Sequence, residues 1–198
     1  MYGLPNRTSM RYGLIYILLQ MDQCRKVADE AVAAKAKELH TLSQFLWDNP
    51  EIRFEEHMAH DCICAFLEDE GFEVRRHYVL QTAFRAEYGA GSPAVALLCE
   101  YDALPGLGHG CGHNLIAQSA LAAAVALSHV KFLRPVFFNE VVVLGTPAEE
   151  GGMGKEFLLK AGAFEDVDAA LMAHPANWSC LRLLLSARCT VSVFALAE

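Results

Sequence analysis

Three short apolar runs constrain this chain more than any other feature: Ala94–Cys99 (AVALLC), Val141–Gly145 (VVVLG) and the segment 169–173 (AALMA). Each has the length of a strand, and the first two precede stretches with helical spacing. Unalternating apolar strands with intervening helices indicate a parallel sheet buried on both faces. The expected class is therefore α/β, a three-layer sandwich around a mostly parallel sheet. In open sheets of this kind, binding groups come from the loops beyond the carboxyl ends of the strands.

Those loops carry donor residues. Cys111-Gly112-His113 follows the first run, Pro147-Ala148-Glu149-Glu150-Gly151 the second, and His174-Pro175 the third. A thiol, two imidazoles and two carboxylates suit a transition-metal ion, and a spare carboxylate suits a base that deprotonates water. Gly112 lets the backbone bend so that Cys111 and His113 face one point. Glu149 and Glu150, read as neighbours in an extended segment, point to opposite sides, so one can bind metal while the other reaches water. Taken singly these residues have plainer readings: a buried thiol beside a capping histidine, solvated loop glutamates, a core histidine. Their shared position beyond three strands favours a site. Glu100 and Asp102, in CEYDALPG, are candidates to orient a ligand histidine, with a turn aspartate as the alternative. His109 is expected at the rim. A second cluster, His57, His60 and Asp61, is expected to lie on a solvated helix face, and Cys62 and Cys64 to be packing thiols.

The rest of the chain fits one sizeable domain of 198 residues. A helix is expected from about Asp22 to Trp47, stopped by Asn49-Pro50, and another from about Glu55 to Glu70 before Gly71. Two β-like runs follow near Glu73–Val79 and Ala83–Tyr88, and Asn114 is expected to cap a helix reaching about His129. The assigned units are residues 1–21, an unassigned segment, 22–180, the domain, and 181–198, a β-prone stretch whose edge would invite association. A net charge of −8 without a basic patch argues against nucleic acid. Seven irregularly spaced cysteines fit a reducing, cytoplasmic setting better than a disulfide framework. The run Gly13–Met21 faintly resembles a signal segment, but it is too short to span a bilayer and no small-residue cleavage site follows. No membrane partner is expected.

The segments CEYDALPGLGHGCGHN, VVVLGTPAEEGGMGKEFLLKAGAF and LMAHPA resemble the M20 metallopeptidase family, in particular its aminoacylase, carboxypeptidase and amidohydrolase members. NPEIRFEEHMAH and TAFRAEY fit the same pattern. The resemblance implies the N-terminal part of a zinc-peptidase-like catalytic domain. It implies Cys111, His113, Glu150 and His174 as ligands of a two-zinc site, with manganese or cobalt as alternatives, and Glu149 as general base. It further implies hydrolysis of the amide bond in small dipeptides such as β-alanyl-lysine, and a homodimer for the full-length relative. The family continues into an inserted lid or dimerisation domain and a further ligand that have no counterpart here, so the chain is expected to be a shortened product. The alternative is then an inactive product that at most binds metal or self-associates. A redox role for Cys62 and Cys64 is disfavoured, because they form no Cys-x-x-Cys pair.

Overall fold

The computed structural model describes residues 7–131 and 138–175, with side chains from residue 21 onward. Helix α1 spans Arg7–Asp48, α2 His57–Asp69, α3 His113–Val130, α4 Glu149–Gly152 and α5 Gly154–Lys160; the strands are β1 Glu73–Arg76, β2 Phe84–Gly89, β3 Ala94–Cys99, β4 Glu140–Gly145 and β5 Ala169–Leu171. They form one sheet in the order β1-β2-β4-β3-β5. The β4-β3-β5 part is parallel and β1 and β2 join it antiparallel, so the sheet is mixed, and the α/β class stands.

Alternation within β3 and β4 builds two cores. Leu97, Cys99, Val141 and Val143 point toward α1, α2 and α3, where they meet Leu42, Leu46, Ile63, Leu67, Ala117 and Leu121. Ala96, Leu98, Val142 and Leu144 point to the other face, against Tyr78, Phe164, Val167 and Met172. That second layer explains why both strands read as unbroken apolar runs. Each fully buried Val or Leu contributes roughly 1.5–3 kcal/mol. Arg85 of β2 is 1% exposed and ties the second layer down, binding Asp166 through Nη2 (2.8 Å) and Nη1 (3.0 Å).

Helix α1 runs unbroken through the expected boundary at residue 21. It stops at Asp48, where Asn49 turns its side chain back onto the Phe45 carbonyl (2.8 Å) and Pro50 follows. The start of α3 differs from expectation. Gly112, not Asn114, is the N-cap, in the left-handed region at φ 83°. A Cβ there would lie 2.8 Å from the Pro175 ring, so glycine is required both for the turn and for the approach of the third loop. Asn114 sits inside the helix and donates to Ser43 Oγ of α1 (3.2 Å). The expected β-prone stretch 181–198 lies outside the described residues. No helix among the described residues is long and apolar enough to cross a membrane.

Candidate metal centre

Because β4, β3 and β5 are parallel neighbours, their carboxyl ends lie side by side. The chain leaves β3 at Cys99, opposite Gly145 of β4, and leaves β5 at Leu171, opposite Leu97. The three loops therefore meet. Ligand atoms of Cys111, His113 and Glu150 lie within 4.8 Å of one another, and so do those of Glu100, His113 and His174. His113 belongs to both groups.

His113 is the first residue of α3 and is fully buried. Its Nδ1 lies 3.0 Å from Asp102 Oδ1, which orients the ring and leaves Nε2 as the free nitrogen. Nε2 faces Glu100 Oε2 at 3.3 Å and Glu150 Oε1 at 3.8 Å. Both Nε2 and Glu100 Oε2 are buried and lack a hydrogen-bond partner. Two such atoms facing each other are destabilising unless a proton on Nε2 or a metal cation joins them. Burial lowers the His113 pKa, but the Asp102 bond and the charges of Glu100, Asp102 and Glu150 outweigh it and raise the pKa overall, so the pocket attracts positive charge. Asp102 is held below its ordinary value: burial pushes it up, and the bonds from His113 and the Glu150 backbone pull it down further.

Of the two acidic residues expected to orient a ligand histidine, Asp102 makes that contact. Glu100 lies on the opposite side, at Nε2, with its other oxygen paired to Lys155. The Cys111 thiol is pushed up to about 11, chiefly by burial and then by the Glu150 and Asp102 charges. It must lose a proton to serve as a thiolate ligand. His174 is exposed and meets the His113 ring edge-on at 5.8 Å between centroids.

Glu149 and Glu150 open a tight turn, kinked at Glu150 (φ −70°, ψ 76°), instead of lying in an extended segment. Ala148 before them has φ 59° and ψ 41°, a left-handed geometry costing roughly 1–2 kcal/mol for a residue with a Cβ. Three side-chain bonds brace this turn. Glu56 accepts from the Ala148 N–H (2.8 Å), Asp102 Oδ2 from the Glu150 N–H (2.8 Å), and Arg53 donates to the Glu150 carbonyl (3.2 Å). Glu149 is accessible at the surface, but the protein packed around its carboxyl, and then the Glu100 charge, raise its pKa, with Lys155 opposing.

Several expectations away from the centre change. His109 is 3% exposed, not at a rim, although its neighbours 105–107 and Gly110 stay exposed. His60 is buried rather than on a solvated face: its Nδ1 lies 3.0 Å from Asp61 Oδ1, and its ring stacks on His77 at 4.7 Å. His57 remains exposed and lies outside both groups of candidate ligands. Cys64 is buried, its pKa pushed up to about 12 by desolvation, as a packing thiol should be. Sequence reasoning misses Arg53, Glu56 and Lys155. Local sequence offers no signal for Glu56 or Lys155, which lie between Glu55 and His57 and between Gly154 and Glu156.

A mixed α/β sheet with sulfur, nitrogen and carboxylate donors gathered at parallel strand ends defines a metal-binding α/β protein. The chain belongs to peptidase family M20/M25/M40, whose pattern matches residues 96–184. It is 46% identical over 173 residues to the Xaa-Arg dipeptidase of Mus musculus, covering 80% of this chain and 39% of that protein. It is 45% identical over 164 residues to the Xaa-Arg dipeptidase of Homo sapiens, covering 75% of this chain and 38% of that one. The solved structure of a dinuclear metal-binding M20 peptidase from Bacillus subtilis superposes with a TM-score of 0.62 at 27% identity, over 70% of this chain and 42% of that one. The chain thus spans about two-fifths of the length of the curated relatives it matches.

Proposed function

We propose that this chain carries the metal-binding half of a centre that hydrolyses the amide bond of small dipeptides. The observation that carries the reading is the pair of buried, unpartnered atoms, His113 Nε2 and Glu100 Oε2, among donors from three strand ends. Cys111, His113, Glu150 and His174 are the ligands of this reading, and the geometry adds Glu100 as a fifth candidate. When bound, a divalent ion supplies the Lewis acidity that makes water a nucleophile near neutral pH and polarises an amide carbonyl. The mixed donor set suits zinc, with manganese or cobalt as alternatives.

Glu149 is the proposed general base. It stands next to Glu150 on the same turn, and its raised pKa makes it a stronger proton acceptor than an ordinary glutamate; general-base catalysis contributes roughly 10²–10⁴-fold. It would hand that proton to the leaving amine. Asp102 holds the His113 tautomer. For substrate, β-alanyl-lysine and related dipeptides remain the reading, and the mouse relative's name, Xaa-Arg dipeptidase, favours a basic C-terminal residue.

One observation favours a second reading, metal binding without turnover. The two donor groups share His113, whose Nδ1 is taken by Asp102, so the described residues suit one ion better than two. Metal analysis of the purified chain beside Cys111→Ser, followed by β-alanyl-lysine assays with Glu149→Gln, tests both. Stoichiometric metal with turnover that Glu149→Gln abolishes supports hydrolysis. Metal without turnover supports the second reading, and a folded chain that takes up no metal overturns both.

A further inference from the structure

We infer that Glu56 is a positioning residue for the centre, setting the turn that presents Glu149 and Glu150. This rests on the metal-centre reading above. Glu56 is fully buried at the N-cap of α2, yet its side chain makes no capping bond to that helix. Oε1 accepts the Ala148 N–H at 2.8 Å, and Oε2 accepts the Thr82 hydroxyl at 2.7 Å. Burial raises its pKa against these bonds.

The location of that first bond is what gives it a function. Ala148 is itself fully buried, so its left-handed backbone cannot turn to water for an acceptor. From Ala148 the chain passes directly into Glu149 and Glu150. Rotation at Ala148 would displace Glu149 and pull Glu150 against the Asp102 and Arg53 bonds that grip the turn on its far side. The turn is also closed behind: Gly154 N–H donates to the Ala148 carbonyl at 3.2 Å. Glu56 is the clamp on the entering side, reaching across 92 positions of sequence from the start of α2.

Equal volume with or without the acceptor separates positioning from packing. Glu56→Gln keeps an oxygen for the Ala148 N–H, and Glu56→Met keeps the volume without one. Cobalt(II) is titrated into the 198-residue chain, following the thiolate-to-cobalt absorption and the d–d bands, with thermal unfolding measured in metal-free buffer. The expected result is a loss of cobalt affinity of about 10–100-fold in Glu56→Met, with altered d–d intensity, and near-wild-type binding in Glu56→Gln. Lowered thermal stability with unchanged affinity in the folded fraction of Glu56→Met would show a packing role and overturn the inference alone. Absence of cobalt binding in the wild-type chain would overturn the metal reading and the inference together. If Glu56→Met does not fold, amide exchange at Ala148 in the wild-type chain decides: slow exchange is expected, and exchange at the rate of an open loop overturns the inference.

Discussion

Asp102 does more at the centre than any single candidate ligand. One carboxylate oxygen orients His113, the other holds the Glu150 N–H, and its carbonyl lies 3.8 Å from Cys111 Sγ. Asp102→Asn preserves the shape but turns one acceptor into a donor, facing either the Glu150 N–H or His113. Its metal affinity is expected to fall about 10–100-fold, read by competition with a chromogenic chelator. A second prediction concerns pH. Burial holds the His60 pKa below the usual 6.5, against the raising effect of Asp61 and with help from the nearby His77 and Arg76 charges. The unfolded chain therefore takes up this proton first, and the stability His60 contributes is complete above pH 6.5 and declines as pH falls below it. Urea midpoints at about pH 7.5 and about pH 5.0 should separate more in the wild type than in His60→Gln; equal separations would remove His60 from the account. These residues also show what sequence can reveal. Cys111, His113, Glu149, Glu150 and His174 stand out because donor types follow apolar runs. Glu56 and Arg53 do not, since their partners at the turn are 92 and 97 positions away and no local pattern encodes that contact.

Strands and turns carry the centre differently. β3 and β4 match their apolar runs to within a residue because burial on both faces leaves no room for another pattern. β5 ends two residues short of its run, since Met172 and Ala173 leave the sheet to bring His174 toward the centre. The turn at Ala148 is illegible in the sequence: alanine gives no hint of a left-handed geometry that distant hydrogen bonds impose. Leu144→Ala, which empties a fully buried site on the outer core layer, should cost about 2–5 kcal/mol in chemical denaturation. Gly154→Ala should be worse for the site than for the sheet. Its Cβ would sit 1.8 Å from the Pro147 carbonyl, forcing the chain behind the turn to move. The measurement is metal affinity in the folded variant, expected to drop while the far-ultraviolet spectrum stays unchanged.

At the scale of the whole molecule, the donors span Glu100 to His174 and sit on three separate strand ends, so a cation would join parts of the fold that are distant in sequence. An ion that binds the folded chain alone stabilises it by about 2.7 kcal/mol at a free concentration about 100 times its dissociation constant. Zinc should accordingly raise the thermal midpoint of the wild type and leave Cys111→Ser nearly unmoved. Equal shifts in both would place the binding elsewhere. β5 adds a temporal side to this geometry. It is a three-residue edge strand paired to β3 alone among the described strands, yet the loop it delivers carries His174. An element with so few pairings has little to hold it until its neighbours are formed, so the complete donor set should arise after the folding barrier rather than before it. The ion would then act as a brake on unfolding, lengthening the lifetime of the native chain while leaving its rate of formation almost untouched.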